Sequence, residues 1–233
     1  MNNYENRAFI FDMDGTLVDN MRFHTKAWGQ MLAENNVEIN AHDFLVKTAG
    51  KTNREIMPTI FGDISDERIA ELGERKEALY REFFQAHRKT VDGAVEFLEA
   101  AQRSGVKMAV ATAAPIGNVE FILDGLDLRR FFQAVTTAAD IENGKPDPEI
   151  FLKSAEKLDV EPRNCIVFED AIGGFEAANR AGMKSIGIAT VNSVEEILQL
   201  ASVVEAHKDF TDLQPLKLIE KYLSATQSSK GLF

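Results

Sequence analysis

Short apolar runs that alternate with helical segments, three of them closing on a polar residue, constrain this chain more than any other feature. Ala8-Phe9-Ile10-Phe11 leads into Asp12, the run over 106–111 leads into Thr112, and Cys165-Ile166-Val167-Phe168 leads into Glu169-Asp170. Lys184-Ser185-Ile186-Gly187-Ile188 makes a fourth run and Ala134-Val135-Thr136 a weaker fifth. Runs of this length without polar alternation suit strands buried on both faces. Helical patterns over 94–103, closing at Gly105, and over 173–181, capped by Gly182, separate them. Strands in alternation with helices predict an α/β fold, a Rossmann-like parallel sheet covered on both faces. In such sheets the reactive groups gather at the carboxyl ends of the strands. Asp12, Thr112 and Asp170 are therefore expected to converge.

The stretch from Val18 to Arg88 breaks the alternation. Helices are expected over 21–35, 41–48, 53–60 and 66–85, with no strand among them, and Glu71, Glu74, Arg75 and Lys76 give the last a charged solvent face. The expected division is a catalytic core of residues 1–17 and 89–233 with an inserted all-helical cap of residues 18–88. The polar tail over 224–231 is expected to fray. The sixteen phenylalanines, including the pairs Phe83-Phe84 and Phe131-Phe132, read as core.

No apolar run approaches the roughly 18 residues of a membrane span, and the first residues lack the pattern of a secretory signal. Cys165 is the one cysteine, so no internal disulfide can form and the cytoplasm is the expected location. A net charge of −11 opposes nucleic-acid binding at long range. A phosphate-binding site in so acidic a chain needs a metal and locally placed cations. No pattern encodes a large assembly, and a monomer or weak dimer is expected.

Asp12 and Asp14, held at a strand end before Gly15, suit metal-assisted phosphoryl transfer. Asp12 could attack phosphorus to form an aspartyl-phosphate, while Asp14 protonates the leaving oxygen and later deprotonates water. Magnesium favours oxygen ligands including one or two carboxylates, for which Asp12 and Asp170 would serve with Glu169 close by. An ordinary turn is the bland alternative for the Asp-Met-Asp-Gly segment. An EF-hand is excluded because its later ligands are absent. Thr112 and the backbone N–H groups of Ala113 and its neighbours, at a helix start, could take phosphate oxygens, though Thr is also a common N-cap. Lys145, in Asn143-Gly144-Lys145-Pro146-Asp147-Pro148, could bind phosphoryl group and nucleophile together. Taken alone it also reads as a surface lysine in a turn.

Taken in order, Asp12-Met13-Asp14-Gly15-Thr16, Thr112, Gly144-Lys145-Pro146 and Glu169-Asp170 resemble the haloacid dehalogenase superfamily across residues 7–222. The resemblance implies a Rossmann-like core with a helical cap inserted after the first strand. It implies Asp12 as nucleophile, Asp14 as acid/base, Thr112 and Lys145 as phosphate ligands, and magnesium held by Asp12, the Asp14 carbonyl and Asp170, with Glu169 in support. Asp14 and the Glu169-Asp170 pair argue against metal-free dehalogenation. A phospho-aspartate receiver shares some of these residue types but is shorter and carries no cap.

Within the superfamily the chain is most similar to β-phosphoglucomutase and its phosphatase relatives. His24 and Trp28, four residues apart on one helix face, match a cap-helix pattern of that group, as does Lys76; packing within the cap is the alternative reading of the first two. The mutase cap loop carries an arginine that grips a second phosphate. Aligning Gly50-Lys51-Thr52-Asn53-Arg54 on that loop puts Asn53 at the arginine position, and Ala114-Pro115-Ile116 replaces the mutases' polar residues. A magnesium-dependent phosphatase for a small phosphorylated metabolite, a sugar phosphate foremost, is therefore expected ahead of a glucose phosphomutase. Gly50, Lys51, Asn53, Lys76, His24 and Trp28 are the expected cap contacts to substrate.

Overall fold

A computed structural model describes residues 4–38, 44, 48 and 50–223. Six parallel strands form one sheet in the order β3-β2-β1-β4-β5-β6. They are β1 (Ala8–Phe11), β2 (Lys107–Ala111), β3 (Ala134–Thr136), β4 (Cys165–Glu169), β5 (Lys184–Ile188) and β6 (Val203–His207). The first strand lies at the centre, with Phe11 in register with Val110 of β2 on one side and Phe168 of β4 on the other. Side chains alternate between faces along each strand, and this splits the apolar runs between two cores. Phe9, Phe11, Ile166 and Phe168 join one; Ala8, Ile10, Cys165 and Val167 join the other, against Ile150 and Phe151. The first core is aromatic: Phe11 stacks on Phe168 with ring centroids 4.6 Å apart, and Phe97 and Phe210 close over them.

Between β1 and β2 lies the helical insertion, with α1 (Met21–Glu34), α2 (Asn53–Phe61) and α3 (Asp66–Phe84). Of the helix expected over 41–48, only Phe44 and Thr48 are described; the tail beyond residue 223 also lies outside the described residues. Apolar faces join α1 to α3 through Phe23, Trp28, Leu72 and Tyr80, and Arg75 of α3 holds Glu34 of α1 through two hydrogen bonds of 2.8 and 2.6 Å. The two connections to the sheet run side by side: Val91 donates its N–H to Leu17 at 2.9 Å, and Val18 bridges Thr90.

Beyond the insertion come α4 (Ala94–Ser104), α5 (Ile116–Val119), α6 (Glu149–Lys157), α7 (Ile172–Arg180), α8 (Val194–Ile197) and α9 (Pro215–Tyr222). The expected strands and helices shift by one residue or so at their ends. One strand was not expected at all. In β6, Glu205 and His207 interrupt the apolar pattern because it is an edge strand, only half-buried along its length; polar residues on an edge deter unwanted pairing. Among the described residues no helix is long and apolar enough to cross a membrane.

Candidate active site

The carboxyl ends of β1, β2 and β4 bring the expected core residues to one place. Asp12 continues the ladder one step past β1, donating its N–H to Phe168 at 2.9 Å, so its side chain sits beside those of Glu169 and Asp170. Oxygen atoms of these three buried carboxylates lie within 4.8 Å of one another. Lys145 enters from the loop before α6 and is itself buried. Its ammonium donates to Asp12 Oδ1 at 2.6 Å and Glu169 Oε2 at 2.9 Å, which removes the surface-lysine reading. Thr16 donates to Asp170 Oδ1 at 3.0 Å.

A single ammonium faces three carboxylates here. Burial, then the neighbouring Glu169 charge, push both Asp12 and Asp170 well above the usual carboxylate range. Lys145 moves up despite its burial, which acts the other way, because Asp12 and Glu169 hold the proton on. Hard oxygen donors crowded with too little positive charge are a chemical fit for a divalent cation such as magnesium. Gly15 belongs to the same packing. Its φ is +87°, and a Cβ there would stand 2.2 Å from Asp170 Oδ2, so glycine serves both the turn and the close approach.

Asp14 turns away from this trio. Its Oδ1 accepts from Asn20 Nδ2 at 2.5 Å and lies 3.5 Å from His24 Nε2. Lys76, expected on the solvent face of its helix, is instead buried because Glu77 and His24 take its ammonium, and His24 Nδ1 stands 2.9 Å from its Nζ. An ammonium has only donors, so Nδ1 must accept and the proton of the neutral ring must sit on Nε2, facing Asp14. At 3.5 Å that contact is too long for a full hydrogen bond, and Nε2 is a buried polar atom without a hydrogen-bond partner among the described residues. The ring is held flat on Tyr80, with centroids 3.9 Å apart. Trp28 packs edge-on to Phe44 while Lys76 Nζ lies 5.3 Å from its ring centre. Cap packing and a place on the cavity wall are thus both true of His24 and Trp28.

The cavity, about 100 Å³, lies between the insertion and the strand ends. Asp12, Asp14, His24, Trp28, Gly50, Lys51, Asn53, Lys76, Thr112, Ala113, Lys145, Glu169 and Asp170 all line it, so every residue expected at the site is brought together. Thr112 does not stand directly at a helix start. Helix α5 begins only at Ile116 after Pro115, and the Thr112 hydroxyl accepts the Ala114 N–H at 3.1 Å. The loop of the insertion is pinned to the loop of Lys145: Lys145 donates its N–H to Gly50 at 3.0 Å, and Gly144 donates to Glu55 Oε1 at 3.1 Å.

Sequence reasoning missed Glu77, Asn118, Asn20, Tyr80 and Glu55. Only Glu55 carried a local signal, as the fourth residue of a Thr-x-x-Glu capping box with Thr52. Glu77 adjoins Lys76, but nothing in its spacing says that it turns inward. There it is 3% exposed, accepting from Lys76 at 3.0 and 3.1 Å and from Asn53 and Asn118 at 2.8 Å each.

Residues 6–182 match the family model of haloacid dehalogenase-like hydrolases. The validoxylamine A 7'-phosphate phosphatase of Streptomyces hygroscopicus subsp. limoneus is 30% identical over 208 residues, covering 89% of this chain and 96% of its own. The fructose-1-phosphate phosphatase YqaB of Escherichia coli is 34% identical over 191 residues, covering 79% and 98%. Among solved structures, a β-phosphoglucomutase from Clostridium difficile superposes with a TM-score of 0.80 at 29% identity, covering 93% of this chain and 97% of that one. With its buried acidic site and its helical insertion after the first strand, the chain belongs to the haloacid dehalogenase-like hydrolases and is a phosphatase of that family.

Proposed function

We propose that this phosphatase hydrolyses the monoester of a small phosphorylated metabolite, a sugar phosphate foremost, through a covalent phosphate on Asp12. The observation that carries the reading is the buried trio of Asp12, Glu169 and Asp170 around the Lys145 ammonium. The names of the relatives, which include a fructose-1-phosphate phosphatase, support the substrate class.

An Asp12 carboxylate oxygen attacks phosphorus, and the ester P–O bond breaks with its electron pair on the leaving oxygen. Asp14 gives that oxygen its proton, so the alcohol departs and Asp14 is left ionised. It then takes a proton from water as the water oxygen attacks the same phosphorus. The bond to Asp12 breaks, inorganic phosphate leaves, and both carboxyls return to their starting states. Lys145 orients Asp12 and neutralises charge on the phosphoryl oxygens, while Thr112 and the Ala113 backbone offer hydrogen bonds to them. Magnesium held by Asp12, Asp170 and the Asp14 carbonyl, with Glu169 in support, would neutralise charge as the dianion approaches. The segment 18–88 acts as the cap, excluding water and contacting substrate through Gly50, Lys51, Asn53, His24, Trp28 and Lys76.

Phosphate release from p-nitrophenyl phosphate tests the chemistry. Asp12→Asn and chelation of magnesium should each abolish it, and full activity in either case would sink the mechanism. The fold shared with a phosphoglucomutase supports a second reading, separated by phosphorus NMR with β-glucose 1-phosphate and a trace of the 1,6-bisphosphate. Glucose 6-phosphate as main product would establish the mutase, and free phosphate the hydrolase.

A further inference from the structure

Among the described residues three lysines line the cavity, and two of them are buried. Lys145 serves the reacting end. Lys76 stands at the cap end, where a second anionic group on a substrate would look for a partner. The line of contacts from Asp14 through His24 to Lys76 and Glu77 runs up that wall. Lys76, however, is already engaged. Both oxygens of Glu77 accept from it, and its remaining close partner is His24. Asn53, at the position where a mutase-like loop would place a cation, turns its amide N–H to Glu77 as well. Asn118 does the same, and its carbonyl oxygen is taken by Arg81 at 2.9 Å.

Although burial acts to raise it, the Glu77 carboxyl is held down to about 2, chiefly by the Lys76 charge and by the amide and ammonium hydrogen bonds. The cap wall therefore presents a neutralised ion pair framed by amides. A phosphate or carboxylate placed there would face a fixed negative charge, with its cation already satisfied. A sugar hydroxyl, which can donate as well as accept, suits that wall. Lys51, the third lysine, is exposed at the rim, where water and salt screen it.

We propose that Glu77 is a specificity-determining residue, a charge filter that admits substrates with a neutral, hydroxyl-bearing distal end and turns away those with a second phosphate. The proposal rests on the phosphatase reading above and deepens it. It acts through placement of the substrate's far end, not through the reacting atoms.

The test measures inhibition of p-nitrophenyl phosphate hydrolysis by two matched pairs, fructose 1-phosphate with fructose 1,6-bisphosphate and glucose 1-phosphate with glucose 1,6-bisphosphate. The full chain is used with magnesium. The native protein should bind each monophosphate about tenfold more tightly than its bisphosphate, and Glu77→Gln should close that ratio about tenfold. Glu77→Asp, which keeps the charge, should preserve it. A ratio within one protein is insensitive to the fraction folded, so a purely structural role would leave it unmoved. Native protein that binds the bisphosphates as tightly as the monophosphates overturns the filter without any variant, and so does an unchanged ratio in Glu77→Gln. Absence of any p-nitrophenyl phosphate hydrolysis would instead bring down the phosphatase reading itself.

Discussion

Replacing Lys145 by Met removes the one ammonium among three buried carboxylates while keeping most of the side-chain volume. The Lys145 and Glu169 side chains are each 1% exposed, and that of Asp12 is 9% exposed, so water cannot take over the lost contacts. Removing one partner of a buried pair costs about 3–5 kcal/mol because the remaining charge is stranded. For a chain of this size that is roughly 6–20 °C in melting temperature, at 2–4 °C per kcal/mol. The loss should appear in full only in a chelator. If Asp12 and Asp170 hold magnesium, the variant regains more stability from added magnesium than the native protein does, because the ion then neutralises carboxylates that Lys145 no longer serves. Urea or thermal unfolding of both proteins, in EDTA and in saturating magnesium, reads this directly. Phosphatase activity should fall by about 10²–10³-fold even with magnesium, as for loss of a single charge-stabilising contact. A stability loss in EDTA below about 1 kcal/mol, the level of an exposed ion pair, would refute the electrostatic account.

Gly15→Ala should both strain the turn, by about 1–2 kcal/mol at positive φ, and displace Asp170, whose oxygen lies 2.2 Å from the added Cβ. A magnesium titration of activity should then show affinity weakened about tenfold or more, and unchanged affinity would mean that Asp170 is not a ligand. At the other end of the sheet, Glu205 ties edge strand β6 to α9, accepting from Lys221 and from the Tyr222 hydroxyl at 2.7 Å each. Against the pull of partial burial, those bonds hold its carboxyl down to about 2. A depressed pKa contributes stability above the unfolded value near 4.5, and that contribution is lost as pH falls towards 2. Glu205→Gln should therefore destabilise the protein at pH 7 by about 1 kcal/mol and leave it no less stable than the native chain near pH 2. Equal losses at both pH values would show that ionisation is not the cause.

Much of this molecule follows from local pattern. The runs ending at Phe11, Ala111 and Phe168 are apolar at every residue but the half-buried Lys107, because each strand is covered on both faces, and that pattern announces the central strands. Strand β6 was hidden because an edge is half-wet and carries Glu205 and His207. Asp12, Thr112, Glu169 and Asp170 were legible for a related reason. A parallel sheet aligns its carboxyl ends, so residues just past separate strands must meet.

Lys145 was visible as a residue type but not as a buried one. Its burial depends on how the loop after β3 folds back over β1, and on Gly50 of the insertion, whose carbonyl accepts the Lys145 N–H. Glu77 was not visible at all. Beside charged neighbours in a helix of the insertion, it carries the same local signature as its solvent-facing companions. What the sequence alone determined was therefore the sheet, its helical insertion and the acidic centre, since period and strand-end position are properties of contiguous residues. Only the tertiary structure decided which charged residues of the insertion turn inward and how they pair. A buried ion pair draws its energy from partners on different elements, here Lys76 and Glu77 of α3 with His24 of α1, Asn53 of α2 and Asn118 of α5.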